Sequence, residues 1–276
     1  MVLPDPNDNV TVVPRAIPEG TVLLIAVEGT AYECGRQYAK LVMEKCPGYR
    51  RYLDPAYGWR TLPAGVKKLF ETRAPHILDI YQGLTDIAGP PQTKQKPAST
   101  LEKSGCTSFG VSGGVTLDGQ PISGQTKDTG VQSALQYIVL RMRINNAPTI
   151  LTLCYPGEVV GYGMWSTGMS IFRNSLFSRA ESEKGLTMEQ WGLLTLAGAS
   201  VHEGVELAQR FGLAGSGNCL ISDPQGESLS VEFNAGGVSV IPAKNGIATH
   251  ANHPEGEHTA LFENYPDEVA KENSIQ

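Results

Sequence analysis

The chain has 276 residues, of which 41% are hydrophobic and 18% charged, enough apolar matter for one or two cores and too much for a disordered polymer. Its 22 Lys+Arg against 28 Asp+Glu leave a formal charge of −6 with no long run of one sign, which argues against a nucleic-acid partner. The longest apolar run, Val22–Val27, is a strand's length, so a soluble protein with no membrane partner is expected.

Along the chain, Met1–Gly20 is rich in Pro, Asp and Asn and lacks a basic stretch followed by an apolar one, so it does not read as a signal peptide. Five cysteines (Cys34, Cys46, Cys106, Cys154 and Cys219) are odd in number, spread out, and include no Cys-x-x-Cys pair. That pattern speaks against a disulfide framework and a thiolate zinc site and predicts a reducing, cytoplasmic setting. Val22–Val27 reads as a buried strand. Thr30 with Glu33 forms a capping box that opens a helix running toward Lys45, before Pro47 ends it. Leu62–Thr72 and His76–Ala88 follow as helices, the second carrying Ile77, Ile80, Tyr81, Leu84 and Ile87 at three and four spacing, until Gly89-Pro90-Pro91 stops it.

Pro91–Ser104 is polar and predicts an exposed linker. Beyond it the pattern changes to short strands: Cys106–Val111, Val115–Leu117, Pro121–Thr126, Tyr137–Ile144 and Thr149–Tyr155. The Gly-rich stretches Gly110–Gly114 and Gly161–Gly168 lack the Lys-Ser/Thr ending of a phosphate loop and read as turns, with Trp165 in core packing. Thr187 with Gln190 and Ser200 with Glu203 are capping boxes for two consecutive helices. A meander follows: Cys219–Ser222, Ser228–Phe233, Val238–Ile241 and Ile247–Ala251. Strands, two helices, then strands again predict an α+β fold of antiparallel sheets with helices packed outside. Glu263–Gln276 reads as the start of a helix without a stop signal, so a C-terminally incomplete chain is expected.

Three places hold residues suited to chemistry. Cys106 opens a strand directly after Ser104 and Gly105, where an exposed backbone meets a folded core; the plain alternative is a cysteine packed as a small hydrophobe. A hairpin turning at Asp118-Gly119 sets Asp128 opposite residue 109, and a bulge or two would return it beside Cys106; otherwise it is an exposed loop acid. Thr249-His250-Ala251-Asn252-His253-Pro254 ends the last strand with three polar rings or amides, or makes a solvated turn before Pro254.

The strings Ser104-Gly105-Cys106-Thr107-Ser108, Ser123-Gly124-Gln125-Thr126-Lys127-Asp128 and His250-Ala251-Asn252-His253 resemble peptidase family C45, the isopenicillin-N acyltransferase-like N-terminal-nucleophile hydrolases. Gly29-Thr30 with Glu33 and Gly35 resembles the propeptide of that family. The resemblance implies a four-layer αββα sandwich and a mostly helical propeptide region, 1–105, ahead of a nucleophile-bearing region, 106–276. It also implies self-cleavage between Gly105 and Cys106, with the cut propeptide kept as the partner in an α/β heterodimer. Cys106 is then the nucleophile, Asp128 an active-site acid and Asn252 an oxyanion donor, with no metal or cofactor. The implied substrate is a small acyl amide or acyl donor, handled through an acyl-thioester as hydrolase or acyltransferase. Two departures stand out: Thr126-Lys127 replaces the family's Asn-Trp before Asp128, and no residue here matches its later Arg-containing segment.

Other readings stay open. Gly110-Val111-Ser112-Gly113-Gly114 matches the Gly-x-Ser-x-Gly elbow of serine hydrolases, with Asp223 and His250 in the right chain order, although strand rather than helix is predicted after Ser112. His250, His253 and His258 with Glu255 and Glu257 lack zinc-helix spacing, and Pro254 forbids a helix there. An inactive, uncleaved relative serving as a binding module is the reading from a different class.

Overall fold

The structure is a computed structural model that describes residues 22–46, 48–92, 105–128 and 136–275. Met1–Gly20 and most of the expected linker, 93–104, lie outside the described residues. In chain order the elements are β1 (Leu23–Gly29), α1 (Ala31–Lys45), α2 (Arg50–Ala56), α3 (Ala64–Arg73), α4 (Pro75–Ala88), β2 (Cys106–Val111), β3 (Ile122–Lys127), β4 (Ile138–Ile144) and β5 (Ile150–Cys154). They continue with β6 (Tyr162–Met164), β7 (Ser170–Asn174), β8 (Leu186–Thr187), α5 (Met188–Ala197), α6 (Val201–Phe211), β9 (Leu213–Ala214) and β10 (Gly217–Ser222). The last are β11 (Ser228–Asn234), β12 (Gly237–Pro242), β13 (Ile247–His250) and α7 (Glu268–Ile275). The class is α+β, in two compact units: Met1–Glu102 with Gly130–Gly161, and Lys103–Thr129 with Tyr162–Gln276.

In the first unit β4 lies between β1 and β5. β1 and β4 pair in parallel, Leu23↔Ile138 through Gly29↔Ile144, which corrects the all-antiparallel expectation. Parallel neighbours need a long crossover, and the helices after β1 supply that length. The capping box of Thr30 and Glu33 is formed and starts α1 as expected. Cys34, Tyr38 and Val42 of α1 and Ile77, Ile80 and Leu84 of α4 are fully buried. The two helices approach to backbone contact: a Cβ on Gly35 would lie 2.0 Å from the Ile80 carbonyl oxygen, and one on Gly83 2.1 Å from that of Tyr32.

The second unit holds an antiparallel sheet in the order β6-β7-β10-β11-β12 and another in the order β13-β2-β3. A short parallel pair, β8 with β9, flanks the helices α5 and α6 and is a second departure from purely antiparallel pairing. Thr187 and Gln190 form their capping box on α5, and Ser200 caps α6 by accepting from Glu203 N. β10 and β11 are buried on both faces, as strands between two layers must be. Ile221 meets α6 at Gly204, so Cys219, Ile221, Val231 and Phe233 share the helix-facing side. The alternate residues Asn218, Leu220, Ser222, Ser228, Ser230 and Glu232 face β13-β2-β3, where a Cβ on Gly110 would lie 2.3 Å from Ser228 Oγ. Apart from Leu220, the side of β10 and β11 that faces this seam is therefore polar. β2 accordingly turns Cys106, Ser108 and Gly110 inward, and Thr107, Phe109 and Val111 outward.

Two expected features differ. Val115–Leu117 is not a strand: a short 3-10 helix, Gly113–Val115, and a turn take its place. The Gly161–Gly168 stretch is not merely turns but contains β6, which hairpins onto β7, with Trp165 buried in the core. Among the described residues, no helix is long and apolar enough to cross a membrane.

Candidate active site

Cys106 opens β2 with 2% of its surface exposed, and its register neighbours set its surroundings. β2 pairs with β3 from Cys106↔Lys127 to Val111↔Ile122, so Asp128 lies next to Gly105 rather than opposite residue 109. The irregular segment between the strands, 112–121, shifts the register away from a two-residue hairpin. Asp128 N donates to the Gly105 carbonyl at 2.8 Å. Its carboxylate covers the Gly105 Cα: Oδ2 lies 2.6 Å from the place a Cβ would take. Lys127, seen in the sequence only as a departure from the family string, donates from Nζ to Cys106 Sγ at 3.2 Å.

Asn252 reaches the same residue from beyond β13. Its Oδ1 accepts from Cys106 N at 2.8 Å, and its Nδ2 donates to the Ser175 carbonyl at 2.7 Å. Turning the amide over would set N–H against N–H and oxygen against oxygen, so its partners fix its orientation. The Asn252 carbonyl also accepts from Phe177 N at 2.8 Å, which clamps the backbone on both sides.

A buried polar network underlies these residues. Asn174 Nδ2 donates to Ser108 Oγ at 3.1 Å and to the carbonyls of His250 and Ala251 at 2.8 and 2.9 Å. Gln125 Nε2 donates to the Arg173 carbonyl at 2.7 Å and to Asn174 Oδ1 at 2.8 Å. His250 Nδ1 donates to the Ala251 carbonyl at 2.7 Å, and Nε2 lies 2.6 Å from Glu232 Oε1. Glu232, wholly buried, also accepts from the backbone N–H groups of Glu255 and Gly256 at 2.7 and 2.9 Å and from the Thr259 hydroxyl. Burial alone would raise the Glu232 pKa, but the hydrogen bonds from His250, Thr259 and Glu255 N outweigh it and hold the carboxyl below its ordinary value.

The structure brings Gly105, Cys106, Asp128 and Asn252 together. It does not assemble Ser112, Asp223 and His250. His250 faces Glu232 and pairs with Ser108 in register, while Asp223 accepts from Val201 N, Gln225 N and Glu227 N. Among the described residues no group of three or more His, Cys, Asp or Glu side chains is placed to hold a metal ion. Sequence reasoning missed Lys127, Gln125, Asn174 and Glu232 as site residues. The available signal was Glu232 itself, a lone carboxylate in a strand of apolar and small residues, which must find partners when buried.

No family model matches the sequence, and no curated protein matches it. Two solved structures of conjugated bile acid hydrolase variants from Clostridium perfringens are similar at 13% and 14% identity, with TM-scores of 0.33 and 0.30. Each match covers 55% of this chain and 46% of that chain, so the chain spans less than half the length of those proteins. Likeness of that degree assigns no chemistry to this chain.

Proposed function

We propose that the chain is the uncut precursor of a cysteine N-terminal-nucleophile enzyme, an amide hydrolase or acyltransferase activated by cleavage between Gly105 and Cys106. The observation that carries this reading is the hydrogen bond from Cys106 N to Asn252 Oδ1 at 2.8 Å, beside a scissile carbonyl already engaged by Asp128 N. A side-chain acceptor dedicated to a backbone nitrogen is what a future α-amine needs. After cleavage that amine, with a pKa of about 7.7 to 8.0, accepts the thiol proton at neutral pH without a separate histidine. Asn252 Oδ1 then holds the amine and Asp128 balances its charged form. The Asn252 side-chain amide serves as the oxyanion donor, worth on the order of 100-fold to 1000-fold in rate. The substrate is a small acyl amide, cleaved through a thioester on Cys106 that passes to water or to an amine.

In this reading residues 1–105 and 106–276 stay together as a heterodimer. The αββα sandwich it implies would add a helical layer over the outward face of β13-β2-β3, where Phe109, Ile122 and Ile247 are exposed. The test is the intact mass of the wild type beside Cys106→Ala. Two fragments joining at Gly105/Cys106 in the wild type, and one intact chain in the variant, support the reading. One intact chain in both sinks it and leaves a non-catalytic binding protein.

A further inference from the structure

Lys127 stands directly opposite Cys106 in the β2–β3 register, so both side chains leave the same face of the sheet, and its Nζ donates to Cys106 Sγ at 3.2 Å. This contact bears on a gap in the chemistry above. The base of the mature site is the α-amine, which the uncut chain does not have: there Cys106 N is an amide that donates to Asn252 Oδ1, with its lone pair committed to the peptide bond. Another group has to hold the sulfur as a thiolate while it attacks Gly105. An ammonium at hydrogen-bond distance does so by favouring the charged form over the neutral one.

We propose, resting on the reading above, that Lys127 is a catalytic residue of the self-cleavage step, its ammonium pairing with the Cys106 thiolate before the α-amine exists. The Sγ proton leaves to solvent, and the thiolate adds to the Gly105 carbonyl carbon. The C–N bond to Cys106 then breaks as the nitrogen takes a proton from solvent. Water opens the resulting thioester, restoring the thiol and leaving a Gly105 carboxylate; Lys127 is unchanged throughout. The charged groups on the elements around Cys106 are Lys127 and Asp128 at the end of β3, Arg173 on β7 with its guanidinium over the Tyr162 ring, and the His250–Glu232 pair on β13 and β11. Lys127 is in hydrogen-bond contact with the sulfur.

The test uses full-length chains isolated unfolded and refolded to start the clock: wild type, Lys127→Met and Lys127→Arg, each beside the same chain carrying Cys106→Ser. The difference in ultraviolet thiolate absorbance within each pair is the signal of Cys106, read before cleavage, and the cut fraction follows by intact mass. Burial pushes the thiols of Cys34 and Cys219 up to about 11 and about 12, so these two stay silent at neutral pH. Lys127→Met is expected to lose most of the Cys106 signal and to cut at least ~10-fold more slowly, while Lys127→Arg retains both. A Lys127→Met chain that is folded by circular dichroism and keeps the wild-type signal and rate overturns the role of Lys127. So does equal loss in the Met and Arg variants, which would mark a structural part only. Wild type that stays one chain overturns instead the function on which this role rests.

Discussion

Around the bond proposed for cleavage the crowding is one-sided. With Asp128 Oδ2 lying 2.6 Å from the Cβ position of Gly105, any side chain at that residue displaces either the carboxylate or the carbonyl that Asp128 N engages. Gly105→Ala is therefore expected to slow cutting by at least ~10-fold, since a misplacement of about 1 Å can cost ~100-fold in a positioned reaction. A time course of intact mass after refolding checks this; an unchanged rate would mean that Asp128 yields without consequence. Cys106 stood out from its place between a polar linker and a strand, whereas the polar load on a strand end left Asn252 open between site and solvated turn, and only the family resemblance set it beside Cys106. Asp128 was found by way of the wrong register. Gln125 and Asn174 carry no local signal, because an amide in a strand looks the same whether it meets solvent or a facing sheet.

At the scale of elements, the inversion of β2 shows why pattern alone misleads here. Alternation assigns Phe109 and Val111 to the core and Cys106 and Ser108 to solvent, yet the inward side is the polar one, because the facing sides of β10 and β11 offer Asn218, Ser228, Ser230 and Glu232 as partners. The longer helices were legible from spacing and capping, and their starts agree with the boxes at Thr30 and Thr187, whereas the short α2, Arg50–Ala56, was not read from the sequence. The parallel pairing of β1 with β4 was not, since strands so distant in the chain leave no mark on each other's local sequence. Nor does any periodicity reveal that Gly35 and Gly83 are where α1 and α4 touch. Gly83→Ala sets a methyl group 2.1 Å from the Tyr32 carbonyl oxygen, a backbone atom that cannot swing aside. The helices must part, at a cost of ~3 kcal/mol, read as a lowered midpoint in denaturant titration. An exposed-site change such as Gly65→Ala, with open space around it, is the control.

For the molecule as a whole, the buried Glu232–His250 pair ties stability to acidity. The Glu232 carboxyl titrates below its ordinary 4.5 in the folded protein, so the stability it contributes is fully present above that value and is lost as pH falls through the lower, folded one. Glu232→Gln leaves His250 facing a neutral amide inside the seam and is expected to cost ~3–5 kcal/mol at neutral pH. The gap between the two proteins should narrow on acidification below the ordinary glutamate range. Thermal melts of both proteins from about pH 7 down to about pH 2 test this, because a paired carboxylate is lost between roughly pH 5 and pH 1; a constant gap would mean that the carboxylate charge is irrelevant.

The parallel ladder from Leu23↔Ile138 to Gly29↔Ile144 joins a strand that precedes the proposed cut to one that follows it. Cleavage there would sever the covalent path while leaving the ladder whole. What had been the folding of one molecule would become the meeting of two, and its reverse a dissociation. Once unfolded, the cut protein would regain its shape at a rate that falls with dilution, whereas the Cys106→Ala chain would refold independently of concentration. Its persistence after processing would then rest on the barrier to coming apart.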